Sequence, residues 1–286
     1  MSDEKPIEEQ VLVTISGGGM PQVESAIGIL KALKVKRFLN ADKMMGTSAG
    51  AIVSSLYMSK NQSITELENI VRNSVPRDWF KIRPWQAIKS VVGLSNYVAD
   101  NTAFKLFLLE NINSKSIDNV KVGVTDMGKV GGDSKPHGTK LLDGRASHVL
   151  ASMSFQNVFP PCSWDGELYA DGGVFNNCPL PTFMELQRYK HVYVILAADE
   201  QILPKVKGWP FMDRIFNLID CTMNREFSQI RELKLDEAPN ITVFQPEKFV
   251  DSASFLGWSD GFEQIQASYE YALKVLEEED QKGNGL

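Results

Sequence analysis

The chain has 286 residues, 43% of them apolar, which is ample for a packed core and suits one large domain. Its net charge of −6 comes from interspersed charges, with "EEEDQ" near the C-terminus as the one dense acidic block, so nucleic acid is set aside as a partner. Three cysteines, Cys162, Cys178 and Cys221, are too few for a disulfide framework, no apolar run reaches a membrane span, and "MSDEKPIEEQ" has no signal core, so a soluble protein of the reducing cytoplasm is expected.

After the polar leader, "VLVTIS" (11–16) is predicted as a buried strand that feeds a turn at Gly17-Gly18-Gly19. In "PQVESAIGILKALKV" the apolar residues Val23, Ala26, Ile27, Leu30 and Leu33 recur at helical spacing, and Pro21 suits a first turn. A short strand over Lys43 to Met45 follows. Then Ala49, Ile52, Val53, Leu56 and Tyr57 form the stripe of a second helix. Ser48, inside "GTSAG", therefore stands at a strand-to-helix turn.

Further along, "DNTAFKLFLLENI" is a helix capped by Asp100, Asn101 or Thr102, and "VKVGVTD" (120–126) alternates as a strand does. "KLLDGRASHVLASMS" (140–154) is predicted as helical and runs into the turn-rich "FPPCSWDGELYADGGVFNNCP". "HVYVILAAD" (191–199) is a nearly continuous apolar strand, and from about Phe211 the pattern is mainly helical, with one strand at "NITVFQ". Strands alternating with helices predict a parallel sheet covered on both faces. No repeat or linker divides the chain, so a single domain over 1–286 is expected, with 1–9 and 278–286 as frayed tails.

A serine between a strand and a helix has its hydroxyl held out of the sheet at a sharp bend, near the positive end of the helix dipole. Gly46 and Gly50 would keep that bend free of side chains. The same pentapeptide also serves as a plain small-residue turn, and the strand-turn-helix context favours a nucleophile. At Gly17 to Gly19, successive backbone N–H groups could face an anion. A dinucleotide site would need glycine where Gln22 stands, and no P-loop Gly-Lys-Ser/Thr follows. An oxyanion hole and an ordinary glycine turn are the two meanings left.

A nucleophilic serine needs a base. His137 lies in a polar loop, His148 in a helix-like run and His191 at the start of an apolar strand, and each reads as structural or solvated. Asp171, in "LYADGGVFNNCP", is the better candidate. An Asp-Gly pair is commonly only a turn, but here prolines, glycines and the pair Asn176-Asn177 suggest a rigidly held loop. A carboxylate of ordinary pKa near ~4 is a poor base for a hydroxyl, so burial would have to raise it.

Together these residues resemble the patatin-like phospholipase family from about Val11 to Asp199. The pieces "SGGG", "IGILKAL", "GTSAGAI", "ASMSFQNVFPP", "LYADGGVFNNCPL" and "VYVILAAD" occur in the family's order. The resemblance implies a three-layer α/β/α sandwich with a mainly parallel sheet, and a lipid acyl hydrolase of phospholipase A or lysophospholipase type working through a Ser-Asp dyad. By that resemblance Ser48 is the nucleophile, Asp171 its base, and the N–H groups of Gly17, Gly18 and Gly19 the oxyanion hole, with no metal or cofactor. One departure is plain: Met20-Pro21-Gln22 stands where the family usually carries a basic residue after the glycine triplet.

A lipid substrate implies a route from the membrane. "VPRDWFKIRPWQAIKSVVGLSNYV" mixes aromatic and basic residues, so Trp79, Phe80, Arg83 and Trp85 are the candidate contacts with a membrane to which the protein binds peripherally. The competing role for this segment is a cap helix packed on the core. Two other functions stay open beside the lipid hydrolase: a Ser-His-Asp esterase, and a patatin-fold lipid-binding module that has lost turnover.

Overall fold

The computed structural model describes residues 5–79, 81–82, 97, 99–112, 118–132, 135–156, 158–198, 230, 235, 238–252 and 257–283. In chain order these form β1 (Val11–Ile15), α1 (Gly19–Arg37), β2 (Lys43–Thr47), α2 (Ala49–Ser59), α3 (Ile64–Arg72), α4 (Pro76–Trp79), β3 (Lys81–Ile82), β4 (Ala99–Asp100) and α5 (Thr102–Asn111). They continue as β5 (Val120–Lys129), β6 (Gly138–Asp143), α6 (Ala146–Ser152), β7 (Cys162–Trp164), β8 (Glu167–Asp171), α7 (Phe183–Leu186), β9 (His191–Ile195), β10 (Ile241–Phe244) and α8 (Glu263–Gly283).

The main sheet has eight strands in the order β10-β9-β1-β2-β5-β8-β7, with β6 also paired to β5. From β10 to β5 every pairing is parallel, and beyond β5 the pairings are antiparallel. Leu12 to Ile15 of β1 and Val192 to Ile195 of β9 are all buried, so both faces of the sheet centre are covered. Such burial explains why these strands read as unbroken apolar runs. The result is the α/β fold with a mainly parallel central sheet that the element order predicts.

Two segments differ from expectation. The run from 140 to 154 is not one helix: its first part is strand β6, and helix α6 begins only after Gly144-Arg145. Cross-strand charge pairs favour the strand, Lys121 with Asp143 at 2.6 Å and Lys140 with Asp126 at 2.7 Å. The turn-rich segment likewise contains the hairpin β7–β8, closed at Asp165-Gly166, both with positive φ (50° and 79°).

The two expected tails are partly ordered. Lys5 pairs with Asp42 at 3.1 Å, and Ile7–Glu9 forms one turn of 3₁₀ helix. At the other end α8 continues through 278 to Gly283, and Arg37 at the end of α1 pairs with Asp280 at 2.6 Å. The two helices cross tightly at Gly28, where a Cβ would lie 2.3 Å from the Ile265 carbonyl oxygen.

Trp79 is not on the surface. It is 6% exposed, with its ring 4.4 Å from that of Phe107, 5.3 Å from Phe104 and 5.9 Å from Trp258. A large apolar ring beside three aromatic neighbours gains more from core packing than from an interface. The other candidate membrane contacts, Phe80, Arg83 and Trp85, lie outside the described residues. Among the described residues no helix is long and apolar enough to cross a membrane.

Candidate active site

Ser48 occupies the single position between β2 and α2, with φ 53° and ψ −116°. That is a left-handed conformation a non-glycine residue rarely adopts, and one that persists only when its surroundings hold it. The flanking glycines permit the bend. A Cβ on Gly46 would lie 2.3 Å from the Gly50 backbone, and one on Gly50 would lie 2.1 Å from the Ile15 carbonyl oxygen. The Ser48 N–H donates to Ser152 Oγ at 2.8 Å, and its hydroxyl lies 3.4 Å from Met153 Sδ. The first turn of α2 follows directly, placing the positive end of its dipole at the hydroxyl's base.

Strand register brings Asp171 to the same place. Thr47 at the end of β2 pairs with Gly123 of β5, and Asp171 pairs with the next residue, Val124, along the same edge, because β6 takes the opposite edge. Glycines close the gap: a Cβ on Gly123 would meet Thr47 Oγ1 at 2.4 Å, and one on Gly172 would meet the Gly123 carbonyl oxygen at 2.4 Å. Asp171 is 4% exposed. Its Oδ1 accepts the Gly173 N–H at 2.8 Å, its own N–H donates to the Ser154 carbonyl at 2.9 Å, and its carbonyl accepts from Thr125 Oγ1 at 2.7 Å.

The Ser48 hydroxyl, which is directed to Met153 Sδ, stands near enough to the Asp171 carboxyl to favour its ionised form. Burial raises the Asp171 pKa from 3.8 to about 7, against the opposing pull of the Gly173 N–H and the nearby Ser48 hydroxyl. A carboxyl poised near neutrality beside a serine hydroxyl has the proton affinity a general base needs, which answers the objection raised by the ordinary carboxylate value.

Past Asp171 the chain becomes a strap along the carboxyl ends of the strands. Thr47 Oγ1 donates to the Asn176 carbonyl at 3.1 Å, the Gly17 N–H to the Asn177 carbonyl at 2.9 Å, and Thr14 Oγ1 to the Pro179 carbonyl at 2.8 Å. These bonds bring the glycine loop after β1 to the same site. They also revise its expected role. With its N–H held by Asn177, Gly17 shapes the loop: a Cβ there would lie 3.1 Å from Ser48 Cβ and 2.3 Å from Asn177 Oδ1. Gly18 caps α1 and Gly19 opens it, so their N–H groups, which have no intrahelical acceptor, are the remaining oxyanion candidates.

The neutral Met20-Pro21-Gln22 is wholly inside. Gln22 is buried beside Gly18, donates its amide to the Ile195 carbonyl at 3.4 Å, and leaves Oε1 without a partner. Its place is thus core packing against the end of β9.

The histidines have other partners. His148 Nδ1 bonds the Asp143 carbonyl at 2.8 Å, its ring stands edge-on to Trp164, and burial lowers its pKa. His191 Nε2 bonds Thr242 Oγ1 at 3.0 Å, and burial pushes its pKa down to about 4. His137 donates its backbone N–H to the Asp126 carbonyl at 2.7 Å, and its ring sits against Gly128, further along β5. Among the described residues no group of three or more His, Cys, Asp or Glu side chains is placed to hold a metal ion.

Sequence reasoning missed four contributors: Gly123, Ser152, Met153 and the carbonyl of Asn177. The small residues of "ASMSF" and the pair Asn176-Asn177 were visible signals. Their partners in the fold, some of them more than a hundred residues away, were not.

A profile of the family described as patatin-like phospholipase matches residues 13–184. Lysophospholipase NTE1 of Debaryomyces hansenii is 24% identical over 198 residues, which cover 65% of this chain and 12% of that protein. The chain thus spans about an eighth of that relative's length. Similar solved structures include VipD from Legionella pneumophila, with a TM-score of 0.48, 15% identity, and coverage of 96% of this chain and 67% of that one. Another is the full-length ExoU in complex with SpcU from the type III secretion system of Pseudomonas aeruginosa, with a TM-score of 0.40, 14% identity, and coverage of 96% and 53%.

Proposed function

The chain belongs to the patatin-like phospholipase family, and from that premise we propose that it is a lipid acyl hydrolase acting through Ser48 and Asp171 in a single domain. The observation that carries this proposal is the buried carboxyl of Asp171, raised to about 7 beside the Ser48 hydroxyl. In its ionised form Asp171 takes the hydroxyl proton as Ser48 Oγ attacks the ester carbonyl carbon. The carbonyl π electrons move onto oxygen, and the oxyanion accepts hydrogen bonds from the N–H groups of Gly18 and Gly19. Collapse expels the alcohol, which receives the proton from Asp171 and leaves an acyl-enzyme. Asp171 then deprotonates a water that attacks the acyl carbon, and the proton returns to Ser48 as the fatty acid leaves.

The substrate class is a phospholipid or another acyl lipid, as the family's name suggests. The likeness to a lysophospholipase favours a single-chain lipid among these. Peripheral contact with a membrane from the cytoplasmic side is part of this proposal.

One observation favours a second function, a lipid-binding module without turnover: neutral, buried Met20-Pro21-Gln22 supplies no cation beside the glycine loop. A single experiment separates the two. Purified protein is expected to release fatty acid from a lysophospholipid and to be labelled at Ser48 by a fluorophosphonate, and Ser48→Ala is expected to abolish both while keeping the wild-type circular dichroism. Fatty acid release by Ser48→Ala at the wild-type rate removes the nucleophile assignment. An inert wild-type protein that still binds lipid vesicles supports the module.

A further inference from the structure

Three consecutive residues at the C-terminal end of α6 each hold a different part of the site. Ser152 Oγ accepts the Ser48 N–H at 2.8 Å and donates its own proton to the Gly123 carbonyl at 2.6 Å. Met153 Sδ lies 3.4 Å from the Ser48 hydroxyl. The Ser154 carbonyl accepts the Asp171 N–H at 2.9 Å, while Ser154 Oγ donates to the Leu150 carbonyl at 2.8 Å and so ties this point back to the helix. Both serines are completely buried. We propose that Ser152-Met153-Ser154 is the element that sets nucleophile and base against each other, with Ser152 as a positioning residue for Ser48.

The physical argument begins with the backbone of Ser48, whose φ of 53° needs an external restraint. Its N–H is the natural handle, and the Ser152 hydroxyl grips it. Because the Ser152 proton is directed to Gly123, a lone pair of Ser152 is left facing Ser48, and the two bonds reinforce each other. Gly123 sits on β5, beside the residue that pairs with Asp171. The relay therefore references the nucleophile to the strand that also locates the base. Met153 gives the hydroxyl a weak sulfur acceptor in the resting state, which an ionised Asp171 outcompetes. Ser152 touches neither substrate nor reacting atoms and acts only through Ser48.

This inference rests on the catalytic roles proposed above, and its test distinguishes the two. On a soluble ester, Ser152→Ala is expected to lower kcat by about 10- to 100-fold, the range a misplacement of about 1 Å produces, with KM within twofold. Fluorophosphonate labelling of Ser48 should slow by the same factor. Ser152→Thr, which restores the hydroxyl, should recover most of both rates. The midpoint of the pH profile should not move, because Asp171 is held by Ser154 and Gly173. Should Ser152→Ala fail to fold, Ser152→Cys keeps the volume, weakens both hydrogen bonds and carries the same comparison. Wild-type kcat and labelling in Ser152→Ala, or losses that track a lowered melting temperature and are equal in Ser152→Thr, overturn the positioning role. A wild-type protein that the probe does not label sinks the catalytic assignment itself, and this inference with it.

Discussion

Asp171 and Glu24 are both carboxyls sealed inside the protein, and burial raises each to a pKa of about 7, yet their surroundings differ. Both oxygens of Glu24 are bonded to one residue of the C-terminal region, Ser259, through its N–H and its hydroxyl, each at 2.8 Å. Behind Ser259 the chain of bonds continues through Gln264 and Ser268 to Ser25 of α1 itself. Arg72 lowers the Glu24 pKa and Glu263 raises it, both weakly beside desolvation. Asp171 instead has one backbone donor, Gly173, and stands beside the hydroxyl of a serine held at a strained bend. Similarly raised pKa values thus accompany two unlike settings: Glu24 closes a network that staples α8 to α1, and Asp171 faces a serine hydroxyl. The partner, more than the shifted pKa, separates the proposed base from an architectural carboxyl.

The sharpest way to break this comparison is to neutralise each carboxyl in turn. Asp171→Asn is expected to lower kcat by at least ~10²-fold, the usual loss when a general base is removed, as measured by fatty acid release. Glu24→Gln should leave kcat close to wild type. Comparable losses in both would erase the distinction.

Stability should respond in the opposite way. Glu24→Ala leaves the Ser259 donors buried without an acceptor, so urea unfolding should show a loss of about 1–3 kcal/mol. In Asp171→Asn the unfolding midpoint at neutral pH should not fall, because no charge is then buried.

The pH dependences sharpen the contrast further. Glu24 has a folded pKa of about 7 against an ordinary 4.5, so folding favours its protonated form. Its stabilising contribution is full below about 4.5 and is lost as pH rises through about 7. Asp171 has the same sign, from 3.8 up to about 7. On the proposed mechanism activity needs ionised Asp171 and should rise where stability falls. Thermal melts of Glu24→Gln should show a flatter decline between these pH values with the activity profile unchanged; a decline as steep as wild type would remove Glu24 from the account.

The smallest effect is expected at the histidines. His137→Gln, His148→Gln and His191→Gln, assayed singly, should keep wild-type turnover, since the described bonds of His148 and His191 run to Asp143 and Thr242. Loss of turnover in one folded variant would restore the triad.

Local chemistry made part of this legible before any coordinates. The β1-glycine-α1 and β2-Ser48-α2 units could be read from periodicity and small residues, because both signals are contiguous in the chain. Asp171 stood out by its turn chemistry and by the family resemblance. What stayed hidden depends on partners distant in sequence. Gly17 loses its expected N–H to Asn177, Trp79 is covered by Phe107 and Trp258, and Glu24 meets Ser259, all through pairings that no local pattern encodes. The sequence over β6 predicts helix because its apolar pair Leu141-Leu142 fits either period, and the charge pairs that favour the strand lie across the sheet.

The central claim is that Asp171 is the base for Ser48, and the pH dependence of kcat/KM in the wild-type protein and in Asp171→Asn tests it most directly. The account predicts a wild-type profile that rises through a single ionisation near pH 7, as burial of Asp171 requires, and a residual rate in Asp171→Asn from which that limb is missing. A limb near pH 7 that persists in Asp171→Asn would contradict it and assign the proton transfer to another group.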